Sequence, residues 1–171
     1  MACIPEDPLS RAHPERSPLN QFVELSVALT GFDAAELWGT GQVQTYYLLL
    51  PSIVGDAIFG RLMSRWQDTW IRGEGDEPFL EALVKEQILD NPTLGPVARN
   101  LTYLWYTGGW NQLPADWRNE HGASANDQTY IVSSAAYTEG LVWKAIHAHP
   151  TAAKQPGYGS WALPPDTETG P

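Results

Sequence analysis

The chain has 171 residues, enough for one domain whose hydrophobic core needs no disulfide bonds. Its 20 acidic and 10 basic residues give a net charge of −10, which repels nucleic-acid phosphates and anionic lipids. No apolar run is long enough to cross a bilayer. Composition therefore excludes nucleic acid as the expected partner, and we expect no direct insertion into a membrane.

Capping residues and helical periodicity divide the first part of the chain. Residues 1–16 carry three prolines among charged residues, and we expect an extended arm there. Ser17 predicts the start of a first helix that ends at Gly31. Asp33 and Glu36 have the spacing of a capping box, which predicts a short second helix. The helical domain is therefore expected to begin at Ser17.

Three further segments follow the same helical pattern. Residues 42–50 are predicted to be helical, and Pro51 is expected to break or kink that helix. A wide apolar stripe then predicts a longer helix that reaches towards Trp70. Asp76 is the predicted cap of the next helix, which ends at Asn91. Each of these segments has one apolar face that is expected to pack on a common core.

The stretch from Pro96 to Trp110 predicts the central helix of the fold. Its apolar residues recur at the helical period, and Gly108 with Gly109 predicts a left-handed ending. It contains four large amphipathic aromatic residues: Tyr103, Trp105, Tyr106 and Trp110. This is more apolar surface than one helix stripe needs, so part of it is expected to face a partner. Ordinary core packing of all four is the alternative interpretation.

A polar loop and a last helix complete the domain. Residues 111–127 contain too few apolar residues for a core of their own, and loops of this length are often functional. The short β-branched run 130–132 is expected to be an irregular lead-in to the last helix, which Ser133 or Ser134 caps. Gly140 interrupts that helix and predicts that another backbone passes close to it.

Together these segments predict an all-α fold, a single-domain irregular bundle of about six helices over 17–149. The tail 150–171 is rich in proline and glycine, which excludes a regular helix, yet it contains Tyr158 and Trp161. Docking these rings would bury large apolar areas. The tail is therefore expected to lie extended on the core or on a partner.

Residues that could carry chemistry are few. No motif for nucleotide binding or for a nucleophilic serine is present, and no carboxylates resemble an acid and base pair. His147 and His149 are two residues apart, which places them on different helix faces. His13 and His121 lie in loops without metal-binding spacing. We therefore predict no catalytic residue, no cofactor-binding residue and no metal ligand in this chain.

Four sequence blocks, taken as a set, carry a family resemblance. They are FVELSVALTG at 22–31, LWYTGGW at 104–110, YTEGLVW at 137–143 and HPTAAKQPGYGSWALPP at 149–165. With these blocks the chain resembles the small subunit of bacterial membrane-bound, flavin-dependent sugar and polyol dehydrogenases. The resemblance is to the sorbitol dehydrogenase small-subunit type, related to subunit 3 of gluconate 2-dehydrogenase.

The resemblance implies that FAD and the catalytic histidine belong to a separate large subunit of the glucose-methanol-choline oxidoreductase type. This chain would then hold no cofactor, and it would bind and stabilise the large subunit and assist its maturation or export. A cytochrome c subunit can belong to the same complex. The resemblance implies a periplasmic location if a signal has been removed from this chain, and a cytoplasmic location otherwise.

The expected partner interface consists of aromatic residues in the central helix, the last helix and the tail: Trp105, Tyr106, Trp110, Tyr137, Trp143, Tyr158 and Trp161. Two other functions remain open. Eight tryptophans would supply flat rings for sugar stacking in a stand-alone helical carbohydrate-binding module. The loop 111–127 with His121 would alternatively belong to a helical enzyme of unfamiliar type.

Overall fold

The computed structural model describes residues 17–122 and 124–150. Helices dominate these residues, and the prediction of an all-α fold is confirmed. The α-helices are α1 Pro18–Thr30, α2 Ala34–Gly39, α3 Val43–Val54, α4 Asp56–Gly73, α5 Glu77–Val84, α6 Leu94–Thr107, α7 Ala115–His121, α8 Ser134–Thr138 and α9 Leu141–Ala145. A π-helical turn, Lys85–Leu89, follows α5, and two short strands are β1 Gly109–Trp110 and β2 Tyr130–Ile131. The described chain thus divides into more helical segments than the six expected, and the predicted arm and most of the tail lie outside it.

The first helices begin where their capping residues predict. The Ser17 hydroxyl accepts a hydrogen bond from the backbone N–H three residues later, at 3.2 Å. Asp33 and Glu36 form the predicted capping box: each carboxylate accepts from the other residue's backbone N–H, at 2.8 and 3.0 Å. Asp76 caps α5 through the N–H of Phe79 at 3.0 Å. Such caps typically contribute about 1 kcal/mol because they satisfy N–H groups of the first turn.

The end of α3 lies beyond Pro51, where the sequence predicts a break or kink. α3 continues through Pro51 to Val54, and it ends where Gly55 adopts a positive φ of 83°. The Gly55 N–H donates to the Pro51 carbonyl at 2.9 Å and closes the last turn. Ile53 and Val54 are buried in this turn, so their packing stabilises a helix that proline weakens.

Part of the segment 111–127 is helical and packs on the core, contrary to the prediction of a loop. α7 lies within it, and the side chains of Leu113 and Trp117 are only 3% and 5% exposed. The Trp117 indole N–H donates to the backbone oxygen of Thr93 at 2.8 Å, which fixes α7 to the start of α6. The loop prediction is wrong because two apolar side chains suffice to attach a short helix to an existing core.

The last predicted helix divides at Gly140 into α8 and α9. A Cβ atom at Gly140 would lie 2.7 Å from the carbonyl oxygen of Tyr106, which confirms that another backbone passes close to it. The run 130–132 is not irregular throughout, because β2 lies within it and pairs antiparallel with β1. The end of α6 and the lead-in to α8 are therefore held together by backbone hydrogen bonds.

The central helix α6 packs in the middle of the core, as its apolar period predicts. It contacts α1, α4, α9 and the π-helical turn. Its side chains Val97, Leu101, Leu104 and Trp105 are at most 1% exposed. Gly108 ends α6 in the predicted left-handed conformation, with its N–H donating to the Leu104 carbonyl at 2.8 Å. The carboxyl end of α6 is thus fixed, and it positions the segments described next.

Candidate partner interface

Two of the residues predicted for the interface lie inside the core. Trp105 and Trp110 are 1% and 0% exposed, so neither ring offers a surface to a partner in this structure. Trp105 packs edge-to-face on Tyr46, with 4.8 Å between ring centroids. The Trp110 indole N–H donates to the carboxylate of Asp127 at 2.9 Å. Both tryptophans are therefore core residues in this structure and do not belong to the candidate interface.

Asp127 is a buried carboxylate that holds the segment 111–127 on the core. One of its oxygens accepts from the Trp110 indole and from the backbone N–H of Leu113, at 2.9 and 3.1 Å. Arg118 Nε lies 4.0 Å from the other oxygen. A carboxylate is buried only with such donors, because its desolvation is otherwise too costly. No local spacing in the sequence indicates this site, because the two donors lie 17 and 14 residues away from Asp127 along the chain.

Tyr106 joins the end of α6 to the end of α1. Its phenol donates to the backbone oxygen of Thr30 at 2.8 Å. Its ring packs edge-to-face on Phe32, with 5.9 Å between ring centroids. Tyr106 remains partly exposed, so it combines a fixed position with an accessible ring surface. Of the three predicted interface residues in and after α6, it alone keeps this combination.

Tyr137 and Trp143 form an aromatic pair across the break between α8 and α9. The rings are T-shaped with 5.3 Å between centroids. The Trp143 indole N–H donates to the backbone oxygen of Tyr137 at 2.8 Å. Both side chains are partly exposed. The pair therefore presents two rings of defined orientation at the surface, as an interface requires.

The three described sequence blocks of the family resemblance meet at one place in the fold. Block 22–31 supplies the end of α1, block 104–110 the end of α6, and block 137–143 the break between α8 and α9. The approach is close because Gly108 has no side chain, and a Cβ there would overlap the backbone of Ala136. We call this region the motif junction and define it by Thr30, Tyr106, Gly108, Tyr137 and Trp143. The sequence predicts Tyr106, Tyr137 and Trp143 as separate interface residues but does not indicate that they converge.

A groove of about 410 Å³ lies beside the motif junction. Elements α2, α8 and α9 contribute its lining, which includes Glu36, Thr40, Thr138, Trp143, Lys144 and Ala148. We call it the junction groove. Pro150, the first residue of the tail and the last one that the structure describes, also lines this groove and is buried. The described part of the chain therefore ends next to the aromatic residues of the predicted interface.

One ion pair lines the junction groove and joins α2 to α9. Lys144 Nζ contacts the Glu36 carboxylate, and it also lies 5.9 Å from the centroid of the Phe32 ring. The hydrogen bond from Lys144, followed by that from the Asp33 backbone, lowers the pKa of Glu36 below its ordinary value of 4.5. Glu36 is therefore ionised at neutral pH. No local spacing could reveal this ion pair, because its members are 108 residues apart.

The histidines that the structure describes are dispersed. His121 packs its ring on Trp117, with 4.8 Å between centroids, whereas His147 and His149 are exposed. Within the described part of the chain, no three His, Cys, Asp or Glu side chains are grouped so that they could hold a metal ion.

The same residues include no helix with the length and hydropathy needed to cross a membrane.

The tryptophans are distributed mainly to the interior. Among the seven that the structure describes, four are buried: Trp66, Trp105, Trp110 and Trp117. Trp38 is 46% exposed, and Trp70 and Trp143 are partly exposed. A buried ring cannot stack on a sugar. The alternative of a carbohydrate-binding module therefore loses most of the described rings on which it depends.

Three residues of the predicted interface, Tyr106, Tyr137 and Trp143, remain at the surface of the described domain. Tyr158 and Trp161 lie outside the described residues, as does the fourth sequence block beyond Pro150. No protein-family model, curated protein or solved structure matches this chain. The candidate interface is therefore the motif junction with its groove.

Proposed function

We propose that this chain is the non-catalytic small subunit of a flavin-dependent sugar or polyol dehydrogenase. It binds and stabilises a large subunit of the glucose-methanol-choline type, which holds the FAD, and it assists the maturation or export of that subunit. One observation carries the proposal. Three separated blocks that resemble the family pack into the motif junction, and three aromatic rings reach the surface there.

The rings of the motif junction suit the centre of a protein interface. Tyrosine and tryptophan are enriched at such centres because they bury large areas while offering a polar group. The Tyr106 phenol is already bonded to Thr30, and the Trp143 indole to Tyr137. These bonds restrict both side chains before a partner binds, so little conformational entropy remains to be lost on association.

A partner that covers the junction groove also covers the ion pair between Glu36 and Lys144. The pair is partly exposed in the described domain, where water screens it. Removal of that water by a partner strengthens the attraction between the two charges. In the proposed complex the groove therefore fixes the position of α9 relative to α2.

The proposal places the chain in a larger complex without a cofactor of its own. The sugar or polyol is selected by the large subunit, and a cytochrome c subunit can join the assembly. The complex works in the periplasm if the chain is exported with its partner. The tail supplies Tyr158 and Trp161 to the same interface, next to the point where Pro150 lines the groove.

The test is to purify the tagged chain from its source and to identify bound polypeptides by mass spectrometry. We expect a bound polypeptide with FAD absorbance and with sugar- or polyol-dependent dye reduction. The variant Ala148→Arg places a large charged side chain in the junction groove. The matched variant Ala82→Arg places the same side chain on an exposed position of α5, outside that groove.

We expect Ala148→Arg to reduce recovery of the flavoprotein about tenfold, because a steric and charge mismatch of this kind costs at least about 1.4 kcal/mol. Ala82→Arg should leave recovery unchanged. Circular dichroism of both variants checks that the fold is intact. Absence of any flavoprotein would contradict the proposed function, whereas equal recovery with both variants would contradict the assignment of the junction groove.

A further inference from the structure

A second surface of the domain is an apolar trough with a volume of about 680 Å³. No described residue lines both this trough and the junction groove. The apolar lining of the trough consists of Val27, Phe32, Trp66, Trp70, Leu80 and Val84. Val27, Phe32, Trp70 and Leu80 are partly exposed and give the trough an accessible apolar surface, whereas Trp66 and Val84 are buried.

Two helices form the walls of the trough with the same residue spacing. α1 and the glycine that ends it contribute Glu24, Val27, Ala28 and Gly31, whereas α5 contributes Glu77, Leu80, Glu81 and Val84. Each set follows the pattern i, i+3, i+4, i+7, so each wall is one helix face about 10 Å long. α4 contacts both helices and supplies Trp66 and Trp70 between them. Three helices thus line one trough.

Among the residues that the structure describes, the charged side chains that line the trough are all carboxylates: Glu24, Asp33, Glu77 and Glu81. They come from α1, from the turn before α2 and from α5, so both rims are acidic. We call this surface the acidic trough. Because these carboxylates are distributed along two rims, a ligand with several positive charges along its length can pair with most of them. A ligand with a single ammonium group can pair with only one or two.

We propose that the acidic trough binds an amphipathic helix of another polypeptide. The helix inserts large apolar side chains between the walls and places lysine or arginine against the rims. Helices bind grooves in this manner through residues spaced i, i+3, i+4 and i+7. The inference is independent of the proposed function, because any polypeptide with such a helix satisfies it.

The charges of residues 1–16 and 151–171 indicate that neither segment is the helix that binds the acidic trough. Residues 1–16 contain three acidic and two basic side chains, and residues 151–171 contain two acidic and one basic. Neither segment offers the excess of positive charge that acidic rims require. A second copy of the chain carries the same net charge of −10 and is repelled. The occupant is therefore a basic segment of a different protein.

A designed peptide serves as the probe. It is a helix with leucine at i, i+3, i+4 and i+7 and lysine at the flanking positions, and a control peptide replaces each lysine with glutamate. Both are titrated calorimetrically against the full chain at low and at physiological salt. We expect the lysine peptide to bind with an affinity that falls as salt rises, and we expect the glutamate peptide not to bind.

Paired variants locate the binding site. Glu77→Gln with Glu81→Gln removes two rim charges, and Glu74→Gln with Glu86→Gln removes two exposed charges outside the trough. We expect about tenfold weaker binding for the rim pair and less than about twofold for the control pair. Equal weakening by both pairs would overturn the proposal, because diffuse charge would then explain binding.

Three other results would also overturn the proposal. The first two are failure of the lysine peptide to bind and equal binding of the two peptides. The third is binding of the cationic detergent dodecyltrimethylammonium in the trough when the lysine peptide does not bind, which would assign the surface to a small amphiphile. Methyl NMR shifts at Val27, Leu80 and Val84 on peptide addition confirm that the peptide occupies the trough.

Discussion

Replacing Asp127 with alanine removes the acceptor that holds the segment 111–127 on the core. The indole N–H of Trp110 and the backbone N–H of Leu113 then remain buried without this partner, at positions that are 0% and 3% exposed. Each such donor costs about 1–3 kcal/mol. We therefore expect the free energy of unfolding to fall by about 4 kcal/mol, a large part of the typical 5–15 kcal/mol for a domain.

Urea unfolding followed by tryptophan fluorescence measures this loss. The control Asp116→Ala removes an exposed carboxylate in the first turn of α7, where interaction with the helix dipole contributes about 0.3–1 kcal/mol. Asp127→Asn keeps one acceptor oxygen and should lie between wild type and Asp127→Ala. A loss below about 1 kcal/mol for Asp127→Ala would refute the reasoning, because both donors would then have found other partners.

Three further outcomes follow from buried groups. Trp110→Phe should lower the free energy of unfolding by about 1–2 kcal/mol more than Trp105→Phe does. Only the first change removes a hydrogen bond, because Trp110 donates to Asp127 whereas Trp105 Nε1 has no partner among the described residues. Equal losses in urea titrations would contradict this. Gly108→Ala should lower the thermal midpoint by about 10 °C, since Gly108 has a φ of 70° and a methyl group would overlap Ala136; calorimetry showing an unchanged midpoint would oppose it. Burial raises the pKa of Tyr46 above its ordinary value of 10.0, so the unfolded chain ionises first and stability should fall as the pH rises above 10; thermal midpoints of Tyr46→Phe should depend less on pH there.

Local signals in the sequence predicted the parts of the fold that depend on neighbouring residues. Ser17, Asp33 and Asp76 cap helices because each needs only a backbone N–H three residues later. Gly108 and Gly140 were also readable, since a left-handed ending and a close backbone approach both exclude side chains. α3 continues past Pro51, against the predicted break, because burial of the following turn outweighs the local cost of proline.

The candidate interface was predictable only in part. The excess of aromatic residues in 96–110 does not tell which rings are covered, and contacts distant in sequence, with Tyr46 and Asp127, place Trp105 and Trp110 inside. Tyr106 reaches the surface because it lies at the end of α6. The acidic trough was invisible in the sequence, because its rim carboxylates come from separate elements whose packing no local pattern contains.

Phe32 belongs to both surfaces of the domain. Its ring packs on Tyr106 at the motif junction, and the same residue lines the acidic trough. A partner that changes the rotamer of Phe32 from one side therefore alters the surface presented on the other. Thermodynamic linkage then requires that the two partners change each other's binding affinity by the same factor. If both proposed partners bind, Phe32 would couple the two binding events through this one ring.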